Sequence, residues 1–163
     1  MVNTILLRPM AAADHDMVGA VGFAAWLSGG ALDARFQSGA VIEAARRAFV
    51  AYPANAKSEV IVAEIDGVVV GWIAREERPD NISDLWVNPA FHARGVGSRL
   101  LQHLIASMEL EGVATQKIDT LASNVPAIGL YQKHGFKIVW QGEEFDAALS
   151  INLTKVHLER VCR

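Results

Sequence analysis

The sequence predicts a single mixed α/β domain over residues 1–163, in which strands and helices alternate along the chain. Of the 163 residues, 52% are apolar, which suffices for one substantial core. Runs of β-branched residues alternate with segments whose apolar residues recur at helical spacing. Neither an internal repeat nor a low-complexity linker divides the chain. These three observations favour one mixed domain over a repeat protein or a tandem of domains.

The first third of the chain predicts one strand and two helices. Residues 3–8 form an apolar strand that ends before a proline. Residues 11–27 follow as a helix with acidic residues near its positive end, and the small residues 28–30 are predicted to break it. A second helix is predicted over residues 32–50, with the region ended by Pro53.

The middle of the chain predicts a hairpin and a further strand. Residues 60–65 and 68–74 are β-branched runs joined by Asp66-Gly67, a pair suited to the positive φ angles of a two-residue turn. The apolar run 82–87 predicts a fourth strand, which Asn88-Pro89 ends.

The last third predicts two helices and three strands. Apolar residues at helical spacing after residue 98 predict a helix that ends at Gly112. Residues 117–121 predict a short fifth strand. A helix then begins at Asn124, as its N-cap residue, and ends at Gly135. Two final strands are predicted near residues 136–140 and 145–153.

Composition excludes several functional classes. No apolar stretch reaches the roughly 20 residues that span a bilayer, so no membrane association is expected and the cytoplasm is the expected location. Cys162 is the one cysteine and the five histidines lack metal spacing, so neither a disulfide nor a metal site is expected. A net charge of −3 without basic runs argues against nucleic-acid binding and is compatible with an amine ligand.

Residues 92–98 read HARGVGS between a strand and a helix, which is a pattern typical of a pyrophosphate-binding turn. Two glycines allow backbone N–H groups to converge, and the helix adds its free N-terminal amides and the positive end of its dipole. No GxxxxGK[ST] motif is present, and Leu100 stands where a dinucleotide fingerprint needs its third glycine. Arg94 adds a guanidinium suited to phosphate. The alternative is a turn whose glycines only permit a tight strand-to-helix connection.

A second motif, NVPAIGLYQKHGF at residues 124–136, identifies a family when it is read with the first. The order of Asn, Ala-Ile, Leu-Tyr and Gly-Phe resembles the later signature of the GNAT superfamily of acetyl-CoA-dependent N-acetyltransferases. Residues 92–98 resemble the CoA signature (Q/R)xxGxG or A of that superfamily, and residues 85–89 resemble the Leu-x-Val-x-Pro pattern that precedes it. His92 departs from the usual Gln or Arg; it can still donate a hydrogen bond, and its charge would vary near neutral pH.

The resemblance implies a fold and a binding site for acetyl-CoA as co-substrate, without a metal. The fold would have about seven mostly antiparallel strands, strands four and five splayed apart, and about four helices. The pantetheine arm would pair with the open edge of strand four, and the pyrophosphate would lie against the amides of the turn. The residues implied to bind acetyl-CoA are Leu85, Trp86, Val87, His92, Ala93, Arg94, Gly95, Val96, Gly97, Ser98 and Asn124. The indole rings of Trp72 and Trp86 are expected in the core.

The resemblance also implies direct attack of an amine on the thioester, without an acyl-enzyme. Tyr131 matches the family tyrosine that protonates the departing thiolate. A base is useful because an amine is mostly charged at pH 7, and Asp84 and Asp119 are the two candidates. The Val87 N–H is the expected oxyanion donor. Either carboxylate could instead form an ordinary ion pair, and Tyr131 could be a packing residue.

Acceptor and assembly stay open at this stage. The segment 26–36 and the surroundings of Phe145 are expected to select the acceptor, which could be a small amine or a peptide. Two alternatives remain, namely a non-catalytic acyl-CoA-binding regulatory module and an acetyltransferase of peptide N-termini. A homodimer is plausible because the C-terminal strands are apolar.

Overall fold

A computed structural model describes residues 4–30 and 38–162. Within these ranges, four helices and eight strands form two four-stranded sheets, so the predicted mixed α/β fold is confirmed. The strands are β1 (Ile5–Pro9), β2 (Val60–Ile65), β3 (Val68–Ala74), β4 (Asn81–Ile82), β5 (Asp84–Val87), β6 (Thr115–Leu121), β7 (Lys137–Asp146) and β8 (Ile151–Val161). The helices are α1 (His15–Gly30), α2 (Gly39–Asn55), α3 (Val96–Leu110) and α4 (Val125–Lys133).

The two sheets separate inside the segment that the sequence predicts as one continuous strand. The first sheet has the order β1-β2-β3-β5 and is antiparallel, and the second has the order β4-β6-β8-β7. β4 pairs in parallel with β6, whereas β5 pairs with β3. Ser83 lies between β4 and β5 and belongs to neither. The predicted splay is therefore present, and it begins at Ser83 because the chain changes sheets there.

The hairpin of β2 and β3 has the bounds predicted from its sequence. Asp66 and Gly67 both have positive φ, at 51° and 78°, as a two-residue hairpin turn requires. Residue 71 of β3 is a glycine, and the close packing around it explains why. A Cβ there would come 3.0 Å from the Val96 side chain and 3.1 Å from the Trp86 carbonyl oxygen. α3 therefore packs closely on this sheet.

The predicted ends of the first two helices are wrong. α1 continues through residues 28–30, which were expected to break it, and α2 passes Pro53 and ends at Asn55. Tertiary packing outweighs the local preferences here: a Cβ on Gly22 would lie 2.5 Å from the Phe49 ring, so the two helices are in close contact. Residues 31–37, which include the predicted start of the second helix, lie outside the described residues.

The predicted C-terminal strands are also wrong in extent. β6 begins at Thr115 rather than at residue 117, and residues 145–153 contain the end of β7, a turn and the start of β8. β7 is an edge strand whose apolar residues are largely exposed, so its sequence lacks the alternation by which a half-buried strand is recognised. Phe145 lies on β7 and is 66% exposed.

The core is built on both faces of the first sheet. On one face, Trp72 packs under α1 and donates from Nε1 to the Val18 carbonyl oxygen at 2.9 Å. On the other face, α3 buries six apolar side chains, and Tyr131 and Phe136 continue this cluster onto the second sheet. The expected core position is therefore correct for Trp72, which is 1% exposed. None of the helices in the described ranges has the length and apolar character that a bilayer crossing requires.

Candidate active site

Among the described residues, no strand pairs with the edge of β5 that faces the gap between β5 and β6. The Asn88 N–H donates to the Val70 carbonyl oxygen at 2.8 Å, so this residue points its backbone toward β3. Because backbone groups alternate along an antiparallel strand, the N–H and C=O groups of Leu85 and Val87 point toward the gap. An extended, amide-bearing ligand could therefore add to this edge as a strand does.

A cavity of about 590 Å³ occupies this gap. It is bordered by β5, β6, the turn before α3, the first part of α4 and the end of α1. Its lining includes all three candidate catalytic residues and all the candidate acetyl-CoA residues except one. These are Asp84, Asp119 and Tyr131, with Leu85, Trp86, Val87, His92, Ala93, Gly95, Val96, Gly97, Ser98 and Asn124.

The turn before α3 has the backbone conformation of an anion cradle. Ala93 and Gly95 both have positive φ, at 62° and 82°, which turns successive N–H groups toward one side. Gly95 is the N-cap residue, and it has no side chain with which to cap the first amides of α3. A Cβ on Gly97 would lie 3.2 Å from Leu130 of α4, so glycine keeps the space between the two helices open.

His92 and Arg94 take different positions around the cradle. The His92 Nε2 atom lies 3.0 Å from the Val87 carbonyl oxygen, so the ring nitrogen must donate there. This bond ties the cradle to the open strand edge. Arg94 is the candidate that does not line the cavity; its guanidinium lies 5.0 Å above the Phe91 ring centroid.

Asp84 lines the gap and accepts hydrogen bonds at both of its carboxylate oxygens. Ser83 Oγ donates to one oxygen at 2.8 Å, and Trp86 Nε1 donates to the other at 3.1 Å. Burial raises the pKa of the Asp84 carboxyl, the negative charges of Glu76 and Asp119 raise it further, and the two hydrogen bonds oppose the rise. A carboxylate with a raised pKa in a cavity has the character of a general base.

Asp119 lies on the opposite wall and has a different partner. Its carboxylate forms an ion pair with the Lys155 ammonium of β8. It lines the cavity, but its charge is balanced by a neighbouring cation. The ion pair that was left open as an alternative is therefore present at Asp119, and its partner is Lys155.

Tyr131 of α4 lies at the inner end of the cavity and is 5% exposed. Burial, together with the negative charges of Asp119 and Asp84, raises the pKa of its hydroxyl, so Tyr131 stays protonated at neutral pH. Its ring meets Phe136 edge to face at 6.3 Å. Among the residues that the structure describes, none hydrogen-bonds to the hydroxyl, which leaves this donor for a ligand.

Asn124 caps α4 and borders the cavity at the same time. Its Oδ1 accepts from the Ala127 N–H at 3.4 Å, and its Nδ2 lies 3.4 Å from Thr120 Oγ1. Both contacts are long, so the amide retains hydrogen-bonding capacity toward the cavity. The predicted N-cap position is correct.

Ser83 lines the cavity and was not singled out from the sequence. Ser83 interrupts an apolar run next to an aspartate, and this polar pair was the available signal for a break. The Trp86 indole was expected in the core. It is only partly buried, packs against the core cluster beneath α1 and also lines the cavity. From the segment expected to select the acceptor, Ser28 and Gly29 reach the cavity, whereas Phe145 does not line it. Within the described ranges, no cluster of three or more His, Cys, Asp or Glu side chains is placed to hold a metal ion.

Comparison with known proteins gives a family match over the part of the chain that builds this cavity. A profile described as the Acetyltransferase (GNAT) family matches residues 31–136, which is more than half of the 163 residues. Among curated proteins, the [ribosomal protein bS18]-alanine N-acetyltransferase of Salmonella typhimurium is 48% identical over 50 residues, covering 31% of this chain and 34% of that relative. The similarity thus spans about a third of the relative's length.

Two solved structures resemble the chain over nearly its whole length. A GCN5-related N-acetyltransferase (aminotransferase, class-II) from Rhodopseudomonas palustris has a TM-score of 0.80 at 22% identity, covering 99% of this chain and 98% of the other. The PaiA N-acetyltransferase from Thermoplasma acidophilum, in complex with coenzyme A, has a TM-score of 0.75 at 18% identity, with 98% and 99% covered. At these identities, the likeness shows that the fold is shared.

Proposed function

Because this chain belongs to the Acetyltransferase (GNAT) family, we propose that it transfers the acetyl group of acetyl-CoA to a primary amine. The observation that carries the proposal is the cavity at the splay. An open strand edge, an anion cradle, a protonated tyrosine and a carboxylate with a raised pKa border this one space. Each of these supplies a part that acyl transfer needs.

The co-substrate fits the groups on the side of the cavity formed by α3 and α4. The cradle amides of residues 93–98 would hold the pyrophosphate, and the open edge at Leu85 and Val87 would pair with the amide groups of the pantetheine arm. The Asn124 amide faces the same channel. Arg94 is a weaker candidate than the sequence implies, because its guanidinium is stacked on Phe91 outside the cavity lining.

The proposed reaction forms the bond between the amine nitrogen and the carbonyl carbon and breaks the bond between that carbon and the CoA sulfur. Asp84 accepts a proton as the ammonium becomes a neutral amine, and the Val87 N–H supports the developing oxyanion. Tyr131 gives its proton to the departing thiolate. The second nitrogen proton passes to the Tyr131 phenolate as the adduct collapses, which restores the tyrosine. The net products are the amide, free CoA and the one proton that Asp84 accepted and then releases.

Asp84 is the stronger candidate for the base. A base must exchange its proton near neutral pH. Burial raises the pKa of the Asp84 carboxyl toward that range. The Asp119 carboxylate already forms an ion pair with the Lys155 ammonium, and that cation competes with an incoming amine. We therefore assign Asp119 to electrostatic support of the site.

Among amine acceptors, the N-terminal amine of a peptide has specific support. A curated relative with 48% identity over 50 residues is named as an acetyltransferase of a ribosomal protein alanine. A small-molecule amine is the other candidate. A non-catalytic acyl-CoA-binding module is less well supported, because Tyr131 and Asp84 both border the cavity. A homodimer through the exposed apolar residues of edge strand β7 stays a prediction.

The first experiment is calorimetric titration with acetyl-CoA, followed by a thiol-release assay with peptides, polyamines, amino acids and aminoglycosides. We expect binding, and turnover with at least one class of amine. Binding without turnover in any class would support the regulatory module. A folded protein that binds no acetyl-CoA would contradict the proposal.

A further inference from the structure

The side chains around Asp84 are arranged to hold its carboxylate in one orientation. Trp86 Nε1 donates to Oδ1 at 3.1 Å and Ser83 Oγ donates to Oδ2 at 2.8 Å. An aspartate side chain whose two oxygens have separate donors cannot rotate without losing both bonds. The orientation of this carboxylate is therefore set by its two neighbours on the chain.

Both donors are themselves fixed by contacts with other elements. The Trp86 ring packs edge to face against Phe49 of α2, with a centroid distance of 5.2 Å. Ser83 Oγ accepts from the Glu76 N–H at 2.8 Å, which leaves its own hydrogen for Asp84. The Ala74 carbonyl oxygen, the other acceptor nearby, is farther away at 3.2 Å. The donors are therefore built into the fold.

The residue that faces Trp86 in the strand register provides an internal comparison. Trp72 is its register partner on β3, and its indole donates to the Val18 carbonyl oxygen in the core. Both tryptophans therefore use Nε1 as a donor, but only Trp86 gives that bond to a side chain of the cavity. The fold thus places one indole in a structural role and directs the other toward the candidate base.

We infer that Trp86 is a positioning residue that, with Ser83, aims the Asp84 carboxylate at the acceptor amine. The inference rests on the proposed acetyl transfer and extends it by assigning a function to the indole N–H. Because hydrogen bonds to a carboxylate favour its charged form, the same two donors limit the rise that burial causes in the Asp84 pKa. Removing either donor therefore makes Asp84 protonate more readily.

Other ionisable groups also face Asp84, and replacing Trp86 or Ser83 leaves these groups in place. Glu76 follows β3, Asp119 lies on β6, Tyr131 lies on α4 and Tyr52 lies on α2. The two carboxylates add to the rise in the Asp84 pKa, and both tyrosines have hydroxyls whose pKa is raised, so they stay neutral near pH 7. A change in titration on removing Trp86 Nε1 is therefore assigned to the lost hydrogen bond.

The test compares Trp86→Phe with Trp72→Phe, since each replaces an indole by a smaller aromatic ring that lacks the N–H donor. For Trp86→Phe, we expect kcat to fall about 10-fold, with the KM for acetyl-CoA nearly unchanged. The acidic limb of the kcat/KM profile should move to higher pH. Trp72→Phe should lower the Tm without moving that limb. Ser83→Ala should reproduce the Trp86→Phe direction and serves as the second variant if Trp86→Phe does not fold.

A second readout separates this inference from the proposed activity. The carboxyl carbon-13 signal of Asp84 can be followed by NMR from about pH 4 to about pH 9 without any acceptor. A higher titration midpoint in Trp86→Phe and Ser83→Ala supports the inference even if no acceptor is turned over. The inference would be overturned if folded Trp86→Phe changed neither the Asp84 titration midpoint nor the acidic limb of the kcat/KM profile. It would also be overturned if Trp72→Phe moved the midpoint and the limb as far as Trp86→Phe does.

Discussion

The two carboxylates that border the gap have the same chemistry but different surroundings. Asp84 on β5 has two neutral hydrogen-bond donors, and burial raises the pKa of its carboxyl. Asp119 on β6 instead has the Lys155 ammonium, a full opposite charge. Neutral donors orient the Asp84 carboxylate without balancing its charge, whereas the Lys155 cation balances the charge of Asp119. The comparison shows that partners, rather than residue type, separate a candidate base from a structural anion.

The largest expected effect comes from replacing Tyr131, the proposed proton donor. Both carboxylates lie close enough to raise the pKa of its hydroxyl. Tyr131→Phe should lower kcat by roughly 10² to 10⁴ while leaving acetyl-CoA affinity nearly unchanged, because only the proton donor is lost. Steady-state kinetics and calorimetry check both values. Tyr52→Phe is the matched control, since the Tyr52 hydroxyl donates to Glu76 and does not line the cavity. An unaltered kcat in Tyr131→Phe would remove the assignment.

Paired substitutions test the comparison of the two carboxylates directly. Asp84→Asn should lower kcat/KM by about 10² or more, because an amide cannot accept the amine proton. Asp119→Asn should cost no more than about 3-fold, because it leaves the base in place. The acidic limb of kcat/KM reports the raised pKa of the Asp84 carboxyl: activity should fall as the pH drops through that value. If Asp119→Asn were the more damaging variant, the two roles would have to be exchanged.

Gly97→Ala separates co-substrate binding from the chemistry at the two carboxylates. The new Cβ would lie 3.2 Å from Leu130 and would narrow the space between α3 and α4. We expect the KM for acetyl-CoA to rise about 10-fold with kcat within about 2-fold of the parent protein. Gly129→Ala is the control, since a Cβ there meets no atom within 4 Å. Equal effects of both variants would indicate general loss of stability, which thermal unfolding would reveal.

The smallest expected effect concerns His92. Its Nε2 donates to the Val87 carbonyl oxygen, and a glutamine amide can also donate a hydrogen bond there. Acetyl-CoA affinity in His92→Gln should therefore stay within about 3-fold of that of the parent protein, as measured by calorimetry. A larger loss would show that the imidazole ring itself contributes to binding.

Backbone-determined features were the most predictable from the sequence. The turn at Asp66-Gly67 and the positive φ at Gly95 follow from residues that tolerate left-handed conformations. The Asn124 cap and the apolar spacing of α3 are equally local. Where local preference competed with packing, prediction was wrong: α1 continues through residues 28–30.

Family resemblance located the candidate site residues but did not rank them. Asp84 and Asp119 were both candidates for the base, because their partners are distant in sequence or act through unpredicted geometry. Lys155 lies 36 positions after Asp119, and the Trp86 bond to Asp84 requires the chain to change sheets at Ser83. Arg94 was expected among the phosphate ligands, yet its side chain stacks on Phe91 instead.

The sequence alone determined the fold class, the hairpin, the cradle turn and the position of Tyr131, because each depends on residues close together in the chain or on motifs that the family shares. Only the tertiary structure decided where the strand before the cradle divides between two sheets. It also decided which carboxylate is paired with a cation and which is held by neutral donors. Burial and charge partners arise from long-range packing, and they set the proton affinity of a side chain, so the roles of these two aspartates could not be read from residue order.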